Sequence, residues 1–381
     1  MNYTGFLFFI AIFNFTKIFN PLAEIMLLPV LFYYLFRNKI RISVIKSEFL
    51  FLFVLFISIG VNILRHSSIT DYFSTFHFPY LLFFSIIIID KKFDIKKMIS
   101  IIKIFTWMHV FLLISSLVSS GIFNLIFKIR GASNSFRLEG LFNEPAWMGI
   151  VVVFFILILH LDKKRNLFLI IINTLFCLFT FSGTAYVLLF TFALSYVFIK
   201  LSFKRALKYG IFFSILFLLF VYFKLDLVRL LIIRRAKGLI SGDYDFSTIL
   251  RFIAPYQVIY HILKYYPVFG IGSGAIQNYI MNNPQYFSLL KIWTGERTTN
   301  VNNSYANIIT TGGFSLFISY IIMVANYFKK YVNKETIFIF IFIIIFPFFS
   351  GKLAHPFFCF MFFFIKNYSH RFRKNDIKEK L

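Results

Sequence analysis

The stretch SFRLEGLFNEPAWMGIVVVFFILILHL, residues 135–161, places a short charged segment directly before a long apolar run. The charged segment contains Arg137, Glu139 and Glu144, whereas residues 145–161 include no Asp, Glu, Lys or Arg. A membrane-crossing helix needs about 20 mostly apolar residues. We therefore interpret the stretch as a point where the chain enters a lipid bilayer.

The residues before the apolar run fit the start of a helix. Asn143 has the side chain of a good N-cap, Glu144 is an acid in the first turn, and Pro145 needs no amide donor there. This interpretation leaves Arg137 and Glu139 unexplained. Charged side chains at the edge of a membrane are costly unless they are paired or functional. We therefore expect a functional role for this segment.

The composition indicates an integral membrane protein. Of the 381 residues, 59% are hydrophobic and 14% are charged, and the mean hydropathy is +0.80. A soluble domain of this size does not bury so much apolar surface. The only cysteines, Cys177 and Cys359, lie in apolar runs, which excludes a disulfide framework and a Cys-x-x-Cys metal site. The first apolar stretch lacks a basic start and a cleavage site, so we expect a retained helix.

We predict about twelve transmembrane helices within one integral membrane domain, residues 1–381. The predicted spans are 3–18, 21–36, 49–64, 73–90, 98–118, 146–161, 167–181, 185–200, 209–224, 302–326, 336–349 and 356–366. Short Lys and Arg clusters recur in alternate connections, and most of the 40 basic residues fall on that side. Such clusters mark the cytoplasmic face, so both termini are expected there, with residues 367–381 as a basic tail. The net charge of +25 is then a topology signal, and we expect no nucleic-acid partner.

Two long connections lie on the predicted outer face, residues 119–145 and residues 225–300. The larger one contains two segments, 225–240 and 247–266, with apolar residues at helical spacing. Nine basic residues belong to this loop or its edge: Lys224, Arg229, Arg234, Arg235, Lys237, Arg251, Lys264, Lys291 and Arg297. Long loops cross the membrane despite their charge. The loop is therefore either a solvated surface or a binding surface for an anionic ligand.

Three further motifs lie on the predicted outer face. FSGTAYVLLF, residues 181–190, is a tight turn, and Ser182 and Thr184 either shape it or donate hydrogen bonds into a cavity. YPVFGIGSG, residues 266–274, either brings backbone amides near a phosphate or simply forms a bend. NVNNSYANIITTGGFSLFISY, residues 300–320, combines a polar cap with small residues that allow close helix packing. No His or carboxylate has metal-ligand spacing, so we expect no metal.

In this order, the motifs resemble those of the superfamily of O-antigen polymerases and O-antigen ligases. RLEGLFNEPAWMG (137–149) is similar to a family segment that enters a helix, and FSGTAYVLL (181–189) is similar to a family turn. Arg251 in the large outer loop precedes a Pro-x-x-Gly-x-Gly motif at 267–272, and residues 301–320 are similar to the last family motif. The resemblance implies an all-α, GT-C-like fold in the bacterial inner membrane, with a large helical periplasmic loop.

The resemblance also implies a glycosyltransferase that uses neither metal nor cofactor at the periplasmic face. A polymerase moves a growing glycan from undecaprenyl pyrophosphate to the non-reducing end of a new lipid-linked repeat unit, whereas a ligase moves it to a lipid A-core sugar. Ligases usually carry a histidine where this chain has Asn303, and that departure favours a polymerase. Expected partners are the lipid-linked oligosaccharides, membrane lipids and a chain-length regulator. A flippase for lipid-linked oligosaccharides is the non-enzymatic alternative.

Several residues suit this transfer. Arg137 and Arg251 are the leading candidates to stabilise the departing diphosphate, since a guanidinium binds phosphate oxygens through a planar fork. Glu144 is the expected general base, because desolvation at the apolar boundary would strengthen its carboxylate as a base, and Glu139 and His355 compete for that role. One direct displacement would invert the anomeric centre. Candidates for substrate binding are Glu139, Arg234, Arg235, Arg297, Asn300, Asn303 and His355.

Overall fold

The chain is mostly helical in its computed structural model, which describes residues 3–13, 27–37, 39–65, 85–130, 135–142, 144–162, 166–200, 254–272, 276–287, 303–348 and 356–378. Thirteen α-helices lie in these ranges: α1 Tyr3–Phe13, α2 Leu27–Phe36, α3 Lys46–Arg65, α4 Ile95–Ser116, α5 Ser120–Ile126, α6 Pro145–Leu161, α7 Leu167–Phe179, α8 Gly183–Lys200, α9 Ala254–Tyr265, α10 Ile276–Asn282, α11 Ser304–Tyr331, α12 Ile337–Ile345 and α13 Pro356–Lys378. Short 3-10 helices cover Pro284–Tyr286 and Phe346–Phe348.

Within the described ranges, α4 and α11 are the two helices long and apolar enough to cross a membrane. Five shorter apolar helices accompany them: Tyr3–Ile12, Pro145–Leu161, Leu167–Phe179, Gly183–Tyr196 and Ile337–Phe348. The total of twelve spans therefore stays a prediction. The predicted span 209–224 lies outside the described residues.

The expectation of an all-α chain is wrong in two places, because the chain also forms two antiparallel strand pairs, one between two separate segments and one within a single connection. Strand β1, Ile40–Ile42, pairs with β2, Ile88–Asp90, and Arg41 lies opposite Ile89. Strand β3, Phe127–Arg130, pairs with β4, Ser135–Leu138. Backbone groups outside helices still need hydrogen-bond partners, and β-branched isoleucine favours strands. The predicted span 73–90 accordingly ends in a strand.

Helix α6, which follows the charged segment, lies in the centre of the core. Its residues from Met148 to Leu159 are all buried, on every side of the helix. It contacts α7, α8 and α12, and the Phe154 ring packs edge-on against the rings of Phe357 and Phe360 at centroid distances of 4.9 and 6.2 Å. A helix that is apolar all round needs other helices or lipid on every face. The stretch 135–161 therefore leads from a polar boundary into the middle of the bundle.

A buried ion pair joins the first and last parts of the chain. The Lys366 ammonium on α13 lies 2.8 Å from a Glu48 oxygen on α3, and both side chains are fully buried. Lys366 also donates to the carbonyls of Ser43 and Ile86, both at 2.6 Å. The Tyr327 hydroxyl on α11 donates to the Glu48 carboxylate. Because burial of single charges is costly, this cluster is stable only while all its partners remain in place.

Candidate functional site

Arg137 connects the charged segment before α6 to the turn between α7 and α8. It lies on β4 with its side chain half-buried. The Arg137 Nε–H group donates to the carbonyl oxygen of Thr180 at 3.1 Å. Thr180 ends α7 and opens the FSGT turn. The structure therefore brings together two of the motifs that the sequence singled out, although they lie 43 residues apart.

The FSGT turn has a compact backbone held by its own side chains. The Thr180 hydroxyl donates to the carbonyl of Cys177 at 2.7 Å, and Ser182 Oγ accepts from the amide of Ala185 at 3.4 Å. Phe181 has a φ of +46°, which is uncommon for a residue with a side chain. These bonds favour the simple turn as the role of Ser182.

His109, on α4, positions the segment that follows Arg137. Its Nδ1 lies 2.7 Å from the carbonyl of Phe105, and its Nε2 accepts from the amide of Leu141 at 3.4 Å. A carbonyl only accepts and an amide only donates, so the ring carries its proton on Nδ1. The ring also stacks on Phe142 at 5.7 Å between centroids.

The contact with His109 also explains the glycine in the RLEGLF sequence. Gly140 has a φ of +56°, and a Cβ there would lie 2.5 Å from the His109 ring. Sequence reasoning missed His109, because a lone histidine in an apolar span gives no sign of a partner 32 residues away.

The two glutamates of the charged segment have different surroundings. Glu139 is buried, and its amide donates to the carbonyl of Ile126 at 2.9 Å. Glu144 is exposed and takes the N-cap position of α6, with no hydrogen bond from its side chain to the helix amides. The cap was expected at Asn143, which lies outside the described residues. The protein therefore buries the carboxylate of Glu139 and not that of Glu144, and the role of Glu144 as general base stays a prediction.

The Pro-x-x-Gly-x-Gly loop fills a break in helix α11. At Gly313 the backbone leaves helical geometry, with φ 61° and ψ −157°. The amides of Ile271 and Gly272 donate to the carbonyls of Thr310 and Thr311, both at 2.9 Å. On the other side of the break, the amides of residues 314 and 315 donate to the carbonyls of residues 267 and 268 at 2.8 and 3.2 Å.

Close backbone contact accounts for the glycines on both sides of this break. Gly270 has a φ of +60°, and a Cβ there would lie 2.4 Å from the carbonyl oxygen of Thr310. Gly313 faces the carbonyl oxygen of Pro267 in the same way, at 2.5 Å. The amides of Ile271 and Gly272 bond to α11, so they do not serve as a phosphate cradle. Of the two interpretations of the motif, the bend fits the structure.

Asn303 caps the start of α11. Its Oδ1 atom accepts from the amide of Ala306 at 3.1 Å, and its side chain is buried. Two residues further on, the Tyr305 hydroxyl donates to the carbonyl of Ile344 at 2.6 Å. The expected sugar contact of Asn303 would have to coexist with this capping bond.

Residues 225–300, the predicted outer connection, contain the helix expected within residues 247–266, which is α9. His261 on α9 is buried against aromatic rings, with Tyr286 stacked at 4.3 Å and the Tyr279 hydroxyl 3.1 Å from its Nε2. Burial and the nearby Lys264 lower the pKa of His261. Burial, together with neighbouring tyrosines, raises the pKa of Tyr279 to about 12. Both rings are therefore held in their neutral forms at neutral pH.

Six of the expected site residues lie outside the described ranges: Arg234, Arg235, Arg251, Arg297, Asn300 and His355. Their roles stay predictions. Among the residues that the structure does describe, no group of three or more His, Cys, Asp or Glu side chains is arranged to hold a metal ion.

A comparison with protein families supports the superfamily that the motifs suggested. Residues 166–321 match a family model described as O-antigen ligase. This family covers O-antigen polymerases and ligases, which are membrane-associated and glycosyltransferase-like, and the match does not distinguish the two reactions. The matched segment includes the FSGT turn, the Pro-x-x-Gly-x-Gly loop and the part of α11 that contains the break at Gly313, whereas Arg137 and Glu144 precede it. No curated protein matches the chain significantly.

Proposed function

We propose that this chain is a metal-independent glycosyltransferase that polymerises O-antigen or a related surface polysaccharide. The bond from Arg137 to the carbonyl of Thr180 carries the proposal, because it fixes a guanidinium where two motif segments meet. A guanidinium stays charged and grips phosphate oxygens through its planar fork. Such a group suits the diphosphate that is released when a glycan leaves its lipid carrier.

In the proposed reaction, a hydroxyl of the acceptor sugar attacks the anomeric carbon of the donor glycan. The new glycosidic bond forms as the bond from that carbon to the pyrophosphate oxygen breaks, and undecaprenyl pyrophosphate leaves with the bonding electrons. The hydroxyl proton passes to a carboxylate, and this single displacement inverts the anomeric centre. We propose Glu144 as the base, because its exposed carboxylate is accessible to a sugar. Glu139 is the buried alternative.

The two candidate reactions differ in the sugar that accepts the glycan. In a polymerase it is the non-reducing end of a lipid-linked repeat unit, and in a ligase it is a lipid A-core sugar. Asn303, at the position where ligases resembling this chain carry a histidine, supports the polymerase. The description of the matching family model, O-antigen ligase, supports the second candidate.

We also propose that the chain lies in the bacterial inner membrane with this site at the periplasmic face. The alternation of basic clusters along the sequence supports that orientation, with both termini in the cytoplasm. In the proposed arrangement, Arg137 meets a diphosphate at the outer boundary, where the lipid carrier presents its glycan.

Deletion of the gene, followed by gels of surface polysaccharide, tests the proposal. A strain without a polymerase retains single capped repeat units, whereas a strain without a ligase loses all capping. Arg137→Ala should reproduce the polymerase phenotype at normal protein levels, and Arg41→Ala, an exposed arginine on β1, is the matched control and should keep the full ladder. A normal ladder from Arg137→Ala would reject the site, and loss of all capping would favour the ligase.

A further inference from the structure

An open groove lies between the first two described helices. It is lined by Phe6 on α1 and by Pro29, Val30, Tyr33 and Tyr34 on α2, and its volume is about 420 Å³. The Tyr33 side chain is 48% exposed, so the groove has an open aromatic wall. These five lining side chains carry no charge, so the groove suits a hydrocarbon chain.

Two cations lie at the end of this groove. The Arg37 guanidinium stands 4.8 Å from the centre of the Tyr33 ring. The Lys39 ammonium stands 5.8 Å from the Tyr33 ring and 5.5 Å from the Tyr34 ring. Within the described ranges, ion pairs join Lys366 to Glu48 and Arg371 to Asp94, and neither Arg37 nor Lys39 has a carboxylate partner.

The strand pair β1–β2 adds basic residues from a second connection. The amide of Lys91 donates to the carbonyl of Lys39 at 3.0 Å, so the two lysines are neighbours at one end of the β1–β2 pair. The nearest acidic side chain on β2 is Asp90, but its oxygens accept from Thr4 and from the amide of Lys92 at 2.8 Å. The end of the groove therefore carries an excess of positive charge beside an apolar floor.

We propose that this groove binds an anionic diacyl phospholipid, with one acyl chain against Phe6, Val30 and Tyr33 and the phosphate between Arg37 and Lys39. The charge bias of the sequence predicts that this end of the bundle faces the cytoplasmic leaflet, where anionic lipids attract basic residues near the membrane. A free phosphate would use the cations but not the apolar floor. A zwitterionic lipid carries its own ammonium beside the phosphate, so it gains less from the two cations.

The test uses the full-length protein in nanodiscs that contain dioleoyl phosphatidylcholine with or without dioleoyl phosphatidylglycerol, and native mass spectrometry counts the lipids that stay bound. We expect wild type to retain phosphatidylglycerol in preference to phosphatidylcholine. At ~1 kcal/mol per basic residue, the double variant Arg37→Gln/Lys39→Gln should weaken that retention about 30-fold. Lys97→Gln, an exposed lysine on α4, is the matched control and should leave it unchanged.

A second variant tests the apolar half of the site separately. Val30→Trp fills the groove without a change of charge, and we expect it to reduce retention of phosphatidylglycerol. In a separate competition experiment, inorganic phosphate at millimolar concentration should not displace phosphatidylglycerol from wild type. Equal retention of both lipids by wild type would overturn the proposal, as would full retention by the double variant. Displacement by inorganic phosphate would reduce the site to an anion site and overturn the lipid assignment. None of these outcomes depends on the proposed transferase activity, since they measure lipid alone.

Discussion

Replacement of Lys366 by methionine tests whether the buried ion pair holds the ends of the chain together. Methionine keeps the unbranched apolar part of the side chain but removes the ammonium, which contacts both Glu48 oxygens at 2.8 and 3.0 Å. The carboxylate then keeps the Tyr327 hydroxyl and the amide of Ile45 as donors but has no counter-charge. Removal of one partner of a buried pair costs about 3–5 kcal/mol. We expect a loss of that size for Lys366→Met.

A double variant separates the effect of the unpaired Glu48 charge from the effect of the lost packing. Glu48→Gln in the Lys366→Met background removes the uncompensated charge while an amide oxygen still accepts from Tyr327. The double variant should therefore be more stable than Lys366→Met alone, by about 1–3 kcal/mol. The unfolding midpoint of each purified variant is measured in the same detergent, with size-exclusion chromatography after heating to quantify the protein that remains folded.

The matched control is Lys97→Met, because Lys97 is exposed on α4. Its unfolding midpoint should stay within error of wild type, as expected for a surface lysine. The reasoning fails if Lys366→Met unfolds at the wild-type midpoint. It also fails if the effects of the two substitutions simply add.

Three further predictions concern the candidate site and the helix α9. Gly270→Ala should destabilise the protein by about 1–3 kcal/mol in the same unfolding assay, because φ is +60° there and the new Cβ would meet the Thr310 carbonyl. His109→Ala should lower glycan transfer on the order of 100-fold, because Leu141 loses its acceptor and the segment after Arg137 shifts. Because the pKa of His261 is lowered in the folded chain, the unfolded state takes up protons first as pH falls below about 6.5. Proteolysis of residues 254–287 should therefore accelerate at pH 5.5 relative to pH 7.5.

Each of these predictions has its own control. Gly60→Ala should be neutral or slightly stabilising, since a Cβ there meets open space on α3, and equal losses at the two glycines would contradict the contact argument. For the third prediction, His261→Phe removes the titrating group, so its proteolysis should not respond to pH beyond the protease's own profile. His109→Gln keeps an acceptor and should retain more activity than His109→Ala; equal activity of both would argue against the bond to Leu141.

The part of the fold that depends on local pattern was predictable. The apolar run after Pro145 predicted α6 to within one residue of its observed start, and the periodicity of 247–266 predicted α9. Both depend on residues that are neighbours along the chain. The strand pairs were missed, because a short run such as Ile86–Ile89 suits a helix as well as a strand until its partner is known.

The contacts of the site depend on residues far apart in the chain. Arg137 was singled out for its charge. Its partner is the backbone oxygen of Thr180, which every residue type has, so the sequence could not predict this bond. The same applies to the Pro-x-x-Gly-x-Gly loop, whose glycines are needed because the backbone of α11 lies against them. Lys366 was placed at the end of the predicted span 356–366, and nothing in the sequence indicated that Glu48, 318 residues earlier, pairs with it inside the bundle.

Transfer by the purified protein is the most direct measurement of the central claim. The reaction contains detergent-solubilised full-length chain and undecaprenyl-pyrophosphate-linked repeat units from the native strain, and product length is read by mass spectrometry. The account predicts that wild type builds lipid-linked dimers and longer glycans, and that Arg137→Ala lowers the rate at least 100-fold without loss of fold. Unchanged elongation by Arg137→Ala would contradict it.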